Sequence, residues 1–344
     1  MATTKDTADA TMDVGFEVVE EDWTIVEGGE LRGMKHDKGV LSLSSENTRD
    51  VHRWRKMPSL EEYESLKKLD LHKSRYIKNL HESVCRLSNL EVLSLVRCEK
   101  LITLPAQIGN LSNLQELNLT DASELSSLPE SLGNLSNLRK ISIGGHQGSG
   151  NKVLKRLPST FGNLKSLEIL CLDKCKELES LPPDIGNLKN LKVVLMRECK
   201  AVKELPKSIG ALSNLVELSI SKCIGLSNIP PELGDCGNLE DLIMNKCKNI
   251  TTLPDNICNL RSLCMLDLRA CKKLIILPSQ IGRLTNLKFL DLRTCKRLET
   301  LPKSLGELTK LEFLDISACV DLTVPRSLEK FKDMTEGWDE NRVQ

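Results

Sequence analysis

The sequence predicts an α/β solenoid: a curved horseshoe of about eleven 24-residue units with a parallel sheet along its concave side. Three observations predict it. Leu66, Leu90, Leu114, Leu138, Leu167, Leu191, Leu215, Leu239, Leu263, Leu287 and Leu311 open similar units, and every step is 24 residues except one of 29. A fixed period in this range marks stacked repeats. Within each unit the run L-x-x-L-x-L alternates with period two, which makes it a short strand with inward leucines. Finally, the chain of 344 residues has 61 leucines, 57 of them after residue 60, while aromatics make up only 3%. One small set of core positions reused many times produces that imbalance.

The elements follow in chain order. Residues 1–30 carry nine acids and one lysine, a net of −8, leaving +8 on the rest of a chain whose total charge is zero. That segment is poor in leucine and cannot offset its ordering entropy, so residues 1–45 are expected to be a disordered tail, acidic and then mixed in charge. Residues 46–65 are expected to cap the solenoid. There Val51, Trp54, Met57, Leu60, Tyr63 and Leu66 recur at roughly three-residue spacing, and Ser59 with Glu62 forms a capping-box pattern, so one or two short helices are expected. The repeats occupy 66–325 with the consensus L-x-x-L-x-L-x-x-C-x-x-L-x-x-L-P-x-x-I-G-x-L-x-x. Strands about 4.8 Å apart make a sheet roughly 50 Å long, and the wider turn-and-helix side makes it curve. Ten of the thirteen prolines fall in the Leu-Pro position, where no ladder N–H is required. Residues 326–344 form the second cap, with Leu328, Phe331 and Trp338 sealing the last unit as a short amphipathic helix.

This pattern resembles the leucine-rich repeat family over about residues 66–335. The variety with Cys in the ladder position and Leu-Pro after it is similar to the repeat region of plant disease-resistance receptors and to the Ras-group-related leucine-rich repeat proteins. The resemblance implies protein recognition on the concave face, in signalling or defence. It covers only the sensor part of such receptors, so nucleotide switching is not carried over.

Thirteen cysteines raise the question of disulfides or zinc. Eight of them, Cys98, Cys175, Cys199, Cys223, Cys247, Cys271, Cys295 and Cys319, share one repeat position, where the side chain turns into the core and can bond loop backbone. Stacked neighbours have parallel Cβ vectors that do not face each other, so free structural thiols are expected. No C-x-x-C exists and the five histidines are scattered, so no metal site is expected. Cys171 differs, because it lies at an outward strand position.

No catalytic constellation is visible and no cofactor is expected. The stretch GGHQGSGNKV at 144–153 imitates a phosphate-binding loop, but Asn151 separates Gly150 from Lys152 and no Ser or Thr follows. It reads as a loop of five extra residues. No run approaches the ~20 apolar residues of a membrane span. The start, MATTKDTADATMDVG, has neither a basic nor an apolar run and does not read as a secretory leader. Neutral balance points away from nucleic acid and membrane surfaces. A cytoplasmic or nuclear setting is the expectation.

What remains is the concave surface. In one row lie Met265, Phe289 and Phe313, in the next Asp267, Asp291 and Asp315, and beside them Arg269 and Arg293. An apolar stripe flanked by charge is a common way to build a protein-binding hot spot. A second patch comprises Ile169, Cys171, Val193 and Leu195 with Asp173 and Arg197 nearby. The bland alternative is that the Asp and Arg side chains pair within the sheet. After the ladder cysteine, Lys176, Lys200, Lys248, Lys272, Lys273, Lys296 and Arg297 form a basic ridge, either a solvated rim or a dock for an acidic segment such as the tail.

The tail holds one sharper motif. Residues 20–26 read EEDWTIV, which resembles the short motif that binds autophagy ubiquitin-like modifiers, with Trp23 and Val26 as the two anchors. The expected function is therefore a non-catalytic scaffold or recognition module for protein partners. The alternatives are an adaptor for autophagy or degradation acting through that motif, and a regulator of a phosphatase or small GTPase.

Overall fold

In the computed structural model, Met57, residues 59–145 and residues 148–344 are described, together with the backbone of Val40–Ser42. Thirteen parallel strands form one sheet in strict chain order. They are β1 (Val40–Ser42), β2 (Lys68–Asp70), β3 (Val92–Ser94), β4 (Glu116–Asn118), β5 (Lys140–Ser142), β6 (Ile169–Cys171), β7 (Val193–Leu195), β8 (Glu217–Ser219), β9 (Asp241–Ile243), β10 (Met265–Asp267), β11 (Phe289–Asp291), β12 (Phe313–Asp315) and β13 (Thr335–Glu336). The eleven repeats contribute β2 to β12, and one further strand flanks them on each side. Each central residue faces its counterpart one unit away, as Leu266 faces Leu290 and Leu290 faces Leu314. The result is a curved, open solenoid whose core is a column of leucine. In the tenth unit, for example, Leu287, Leu290, Leu292, Cys295 and Leu298 are all fully buried.

The convex side is built of 3₁₀ turns, and no α-helix forms among the described residues. Each turn is short, as at Glu130–Asn134 and Ile185–Asn187. The P-x-x-I-G-x-L stretch closes with three-residue hydrogen bonds, such as Leu132 N–H to the Pro129 carbonyl at 3.0 Å. Gly186 shows why no bulkier helix fits. A Cβ there would sit 2.3 Å from the Ser208 carbonyl oxygen of the next unit. Neighbouring turns are thus in backbone contact, and only glycine permits that approach.

Residues 59–66 form turns and no helix. Tyr63 N–H donates to the Leu60 carbonyl at 3.1 Å and Leu66 N–H to the Tyr63 carbonyl at 3.0 Å. The apolar spacing of three explains this, since it suits three residues per turn better than 3.6. Met57, Leu60 and Tyr63 are buried against the first unit, and Leu60 N–H donates to Ser83 Oγ at 2.8 Å. Val51 and Trp54 lie outside the described residues. The expectation of a disordered segment through residue 45 needs correction at Val40–Ser42. This segment pairs with β2, Leu41 facing Leu69, because K-G-V-L-S-L carries the same alternation as the later strands.

At the other end, a nine-residue 3₁₀ segment, Arg326–Met334, buries Leu328 and Phe331, and Trp338 packs against the core from a partly buried position. β13 then adds to β12, with Thr335 facing Leu314 and Glu336 facing Asp315.

Candidate protein-binding face

The face available for recognition is made by the outward residues of β2 to β12. Its supports are repeated polar positions. Behind the strands, the ladder thiols donate to a carbonyl in the preceding unit: Cys98 to Leu71 at 3.2 Å, Cys199 to Leu172 at 3.1 Å, Cys247 to Ile220 at 3.0 Å and Cys319 to Leu292 at 3.1 Å. All thirteen cysteines are free. Burial pushes the Cys98 thiol up to about 12. Just before each ladder residue the backbone turns through the left-handed region, as at Glu198 (φ 63°) and Lys246 (φ 63°). Those residues still extend the ladder, Glu198 N–H donating to the Ser221 carbonyl at 2.8 Å.

The 29-residue unit keeps this scheme. Gly150 (φ 68°) takes the left-handed position and Asn151 the ladder position. Asn151 is fully buried. Its Nδ2 donates to the carbonyls of Ala122 at 3.0 Å and Leu125 at 2.8 Å, and its Oδ1 accepts from Val153 N–H at 3.0 Å and Leu154 N–H at 2.7 Å. The phase of the repeat is therefore restored at Gly150 and Asn151. The residue that spoils the resemblance to a phosphate loop is a structural ladder asparagine.

On the outer surface, Phe289 and Phe313 stack with ring centroids 4.4 Å apart and planes 4° from parallel. Met265 precedes them in the same row, in register with Phe289, and all three side chains are half-buried. The aspartate row behaves differently from a partner-facing row. Asp291 and Asp315 are only 3% and 4% exposed. Asp291 Oδ1 accepts from Arg293 N–H at 2.9 Å, and Asp315 Oδ1 accepts from Ser317 N–H at 2.8 Å. Asp267 does the same with Arg269 N–H at 2.9 Å and also takes Asn245 Nδ2 at 2.7 Å. The row terminates strands by side-chain turns. Burial is the chief cause that holds the Asp291 carboxyl above its usual range, opposed by the Arg293 N–H. Arg293 reaches Asp291 Oδ2 at 3.2 Å and Asp315 Oδ2 at 3.4 Å, which leaves Arg269 as the cation of this patch with no ion pair among the described residues.

The second patch is also brought together. Ile169 faces Val193 and Cys171 faces Leu195 across β6 and β7, all half-buried. Burial pushes the Cys171 thiol up to about 11, so it is a poor nucleophile. Arg197 is clamped to Asp173 Oδ2 through Nε at 2.8 Å and Nη2 at 2.5 Å, and Asp173 is only 2% exposed. The bland reading therefore holds for Asp173, Asp291 and Asp315, whose charges are used inside the sheet. The basic ridge is exposed from Lys200 to Arg297, with Lys176 partly covered and Lys273 Nζ bonded to Asn249 Oδ1 at 2.8 Å. Trp23 and Val26 lie outside the described residues.

A sequence profile of the leucine-rich repeat region matches residues 51–179 and 232–336, more than half of the chain. The chain belongs to the leucine-rich repeat family. Among solved structures, the leucine-rich repeat domain of the type III effector XopL is 25% identical over 75% of this chain and 76% of that one, with a TM-score of 0.53. A leucine-rich repeat protein of Leptospira interrogans is 26% identical over 84% of this chain and 80% of that one, with a TM-score of 0.49. No curated protein sequence matches the chain. The leucine-rich repeat fold supports a protein–protein interaction module, and the outward rows of β6 to β12 offer apolar surface for it.

Two features of the leucine-rich repeat face escaped the sequence reading. One is Asn151, hidden by the shifted register. The other is the neighbouring pair Glu217 and Asp241, which stand in the same outward row as Met265 and face each other across β8 and β9.

Proposed function

We propose that this leucine-rich repeat protein is a non-catalytic scaffold or recognition module acting in signalling or defence, cytoplasmic or nuclear, that binds protein partners through the concave row Met265, Phe289 and Phe313. The observation that carries the reading is the stacked pair Phe289 and Phe313, two rings left half-open on a surface otherwise dominated by polar side chains. Such rigid aromatic area is the usual anchor of a protein interface. The patch around Ile169, Val193 and Leu195 is a smaller second contact on the same face.

Cross-linking affinity purification of the wild type against the Phe289→Ala, Phe313→Ala variant tests it. Partners that vanish with the variant support the reading, and a partner list unchanged by it overturns it. The adaptor reading rests on the EEDWTIV stretch alone. It expects capture by an autophagy ubiquitin-like modifier that Trp23→Ala with Val26→Ala abolishes, and equal capture of that variant removes it.

A further inference from the structure

Several carboxylates on and beside the concave strands are compensated by a cation one unit away. Glu116 lies 3.3 Å from Lys140, Glu168 2.7 Å from Lys192, Asp173 2.5 Å from Arg197, and Glu198 2.8 Å from Lys222. Glu217 and Asp241 break this pattern. They face each other directly on adjacent strands. Both are partly buried, and neither has a hydrogen bond or ion pair among the described residues. Burial first and the neighbouring carboxylate second hold Glu217 above its usual range, opposed by the more distant Arg197. For Asp241 burial again leads, followed by Glu240. Two carboxylates without an ion pair at strand spacing, about 4.8 Å, form an unfavourable cross-strand pair.

The same row continues without interruption. From β8 to β12 it reads Glu217, Asp241, Met265, Phe289, Phe313, each in register with the next. An anionic end therefore passes directly into the half-open aromatic stack. The distance from Asp241 to the middle of the stack is two to three strand spacings, ~12 Å. An extended chain laid across the strands covers that span in about four residues.

We infer that the concave row from β8 to β12 takes an extended segment of a protein partner that carries a lysine or arginine about four residues from an aromatic or aliphatic side chain. This rests on the concave-face reading above and adds the partner's chemistry to it. The cation lies between Glu217 and Asp241 and relieves their repulsion. The apolar residue covers the Phe289–Phe313 stack and Met265. Charge complementarity sets the direction of the segment along the row, because the opposite placement would leave the acids unpaired.

The test is selection of a phage-displayed library of random twelve-residue peptides on the full chain, followed by fluorescence anisotropy of the enriched peptides. The expected result is enrichment of Lys or Arg about four positions from Phe, Leu or Met. Binding should be about fivefold to tenfold weaker to the Glu217→Gln, Asp241→Asn variant. Both substitutions are isosteric and remove repulsion, so the thermal midpoint should hold or rise. Charge reversal by Glu217→Lys places a cation opposite Asp241, as Lys140 stands opposite Glu116, and should abolish the enrichment of basic residues. If enriched peptides depend on Phe289 and Phe313 but carry no basic residue, or bind the amide variant equally well, this inference fails and the concave-face reading stands. If no enriched peptide is weakened by either pair of substitutions, both fail.

Discussion

The thiol of Cys199 donates to the carbonyl of Leu172, 3.1 Å away in the preceding unit, and that same carbonyl accepts the Cys175 backbone N–H at 3.0 Å. One acceptor thus ties a unit's own turn to the next unit's core. Removing the thiol leaves the carbonyl partnered, so Cys199→Ala should cost only about 1 kcal/mol of unfolding free energy, read by urea denaturation. Thiol labelling of the native protein should reach Cys171 and Cys264, the two that are not buried, well before the others.

The buried thiols predict an alkaline limit. Burial raises Cys98 to about 12 and Cys85 and Cys236 to about 11, against an ordinary value of 9.0. Above pH ~9 the unfolded chain releases these protons while the native state keeps them. The native state then binds more protons, so stability falls as pH rises. Unfolding midpoints should drop steadily from pH 9 to 11. A flat profile there would sink the idea.

Asn151 should be the most sensitive ladder position. Asn151→Ala strips partners from the Val153 and Leu154 N–H groups and from the Leu125 carbonyl at once. A loss of about 3–4 kcal/mol is expected. Asn151→Cys, which copies the other units, should lose less.

Two glycines make a matched pair. A Cβ on Gly186 would lie 2.3 Å from the Ser208 oxygen and 2.9 Å from Ala211 Cβ, whereas one on Gly237 meets nothing within 4 Å. Gly186→Ala should destabilise by about 2–3 kcal/mol, and Gly237→Ala should be near neutral in the same thermal melt.

Arg197→Ala would take both guanidinium donors from the buried Asp173 carboxylate and leave it the backbone N–H of residue 197, at 2.7 Å. The expected cost is about 3 kcal/mol. Adding Asp173→Asn should recover part of it, which a double-mutant cycle would measure.

The strands of the repeats were legible because Leu69, Leu93, Leu117 and their counterparts return at fixed steps and bury the same way each time. The helix type was not, since P-x-x-I-G-x-L constrains a turn without choosing between three and 3.6 residues per turn. The backbone approach at Gly186 decides that, and it exists only between units. β1 was missed because Leu41 and Leu43 precede no Cys and no Leu-Pro. On the candidate face, Phe289 and Phe313 were legible as neighbours. Glu217 and Asp241 were not, because the absence of a cation beside a carboxylate shows only once the neighbouring units are stacked against it. Asp291 and Asp315 misled for the converse reason: period two places them outward, but the turn after the strand claims their oxygens.

β13 has a bearing on assembly. A stack of identical layers has no inherent length, and an exposed final layer would accept another copy of itself as readily as its own next unit. Here the final strand has only two residues, bears Glu336, and turns away at Gly337 (φ 77°), where a Cβ would strike the Ser317 backbone at 2.4 Å. Residues 342–344 then fold back onto Val324, whose N–H donates to the Arg342 carbonyl at 2.8 Å. The last full repeat is therefore overlaid on this side by short, sharply turned segments, a poor template for propagation into a fibre.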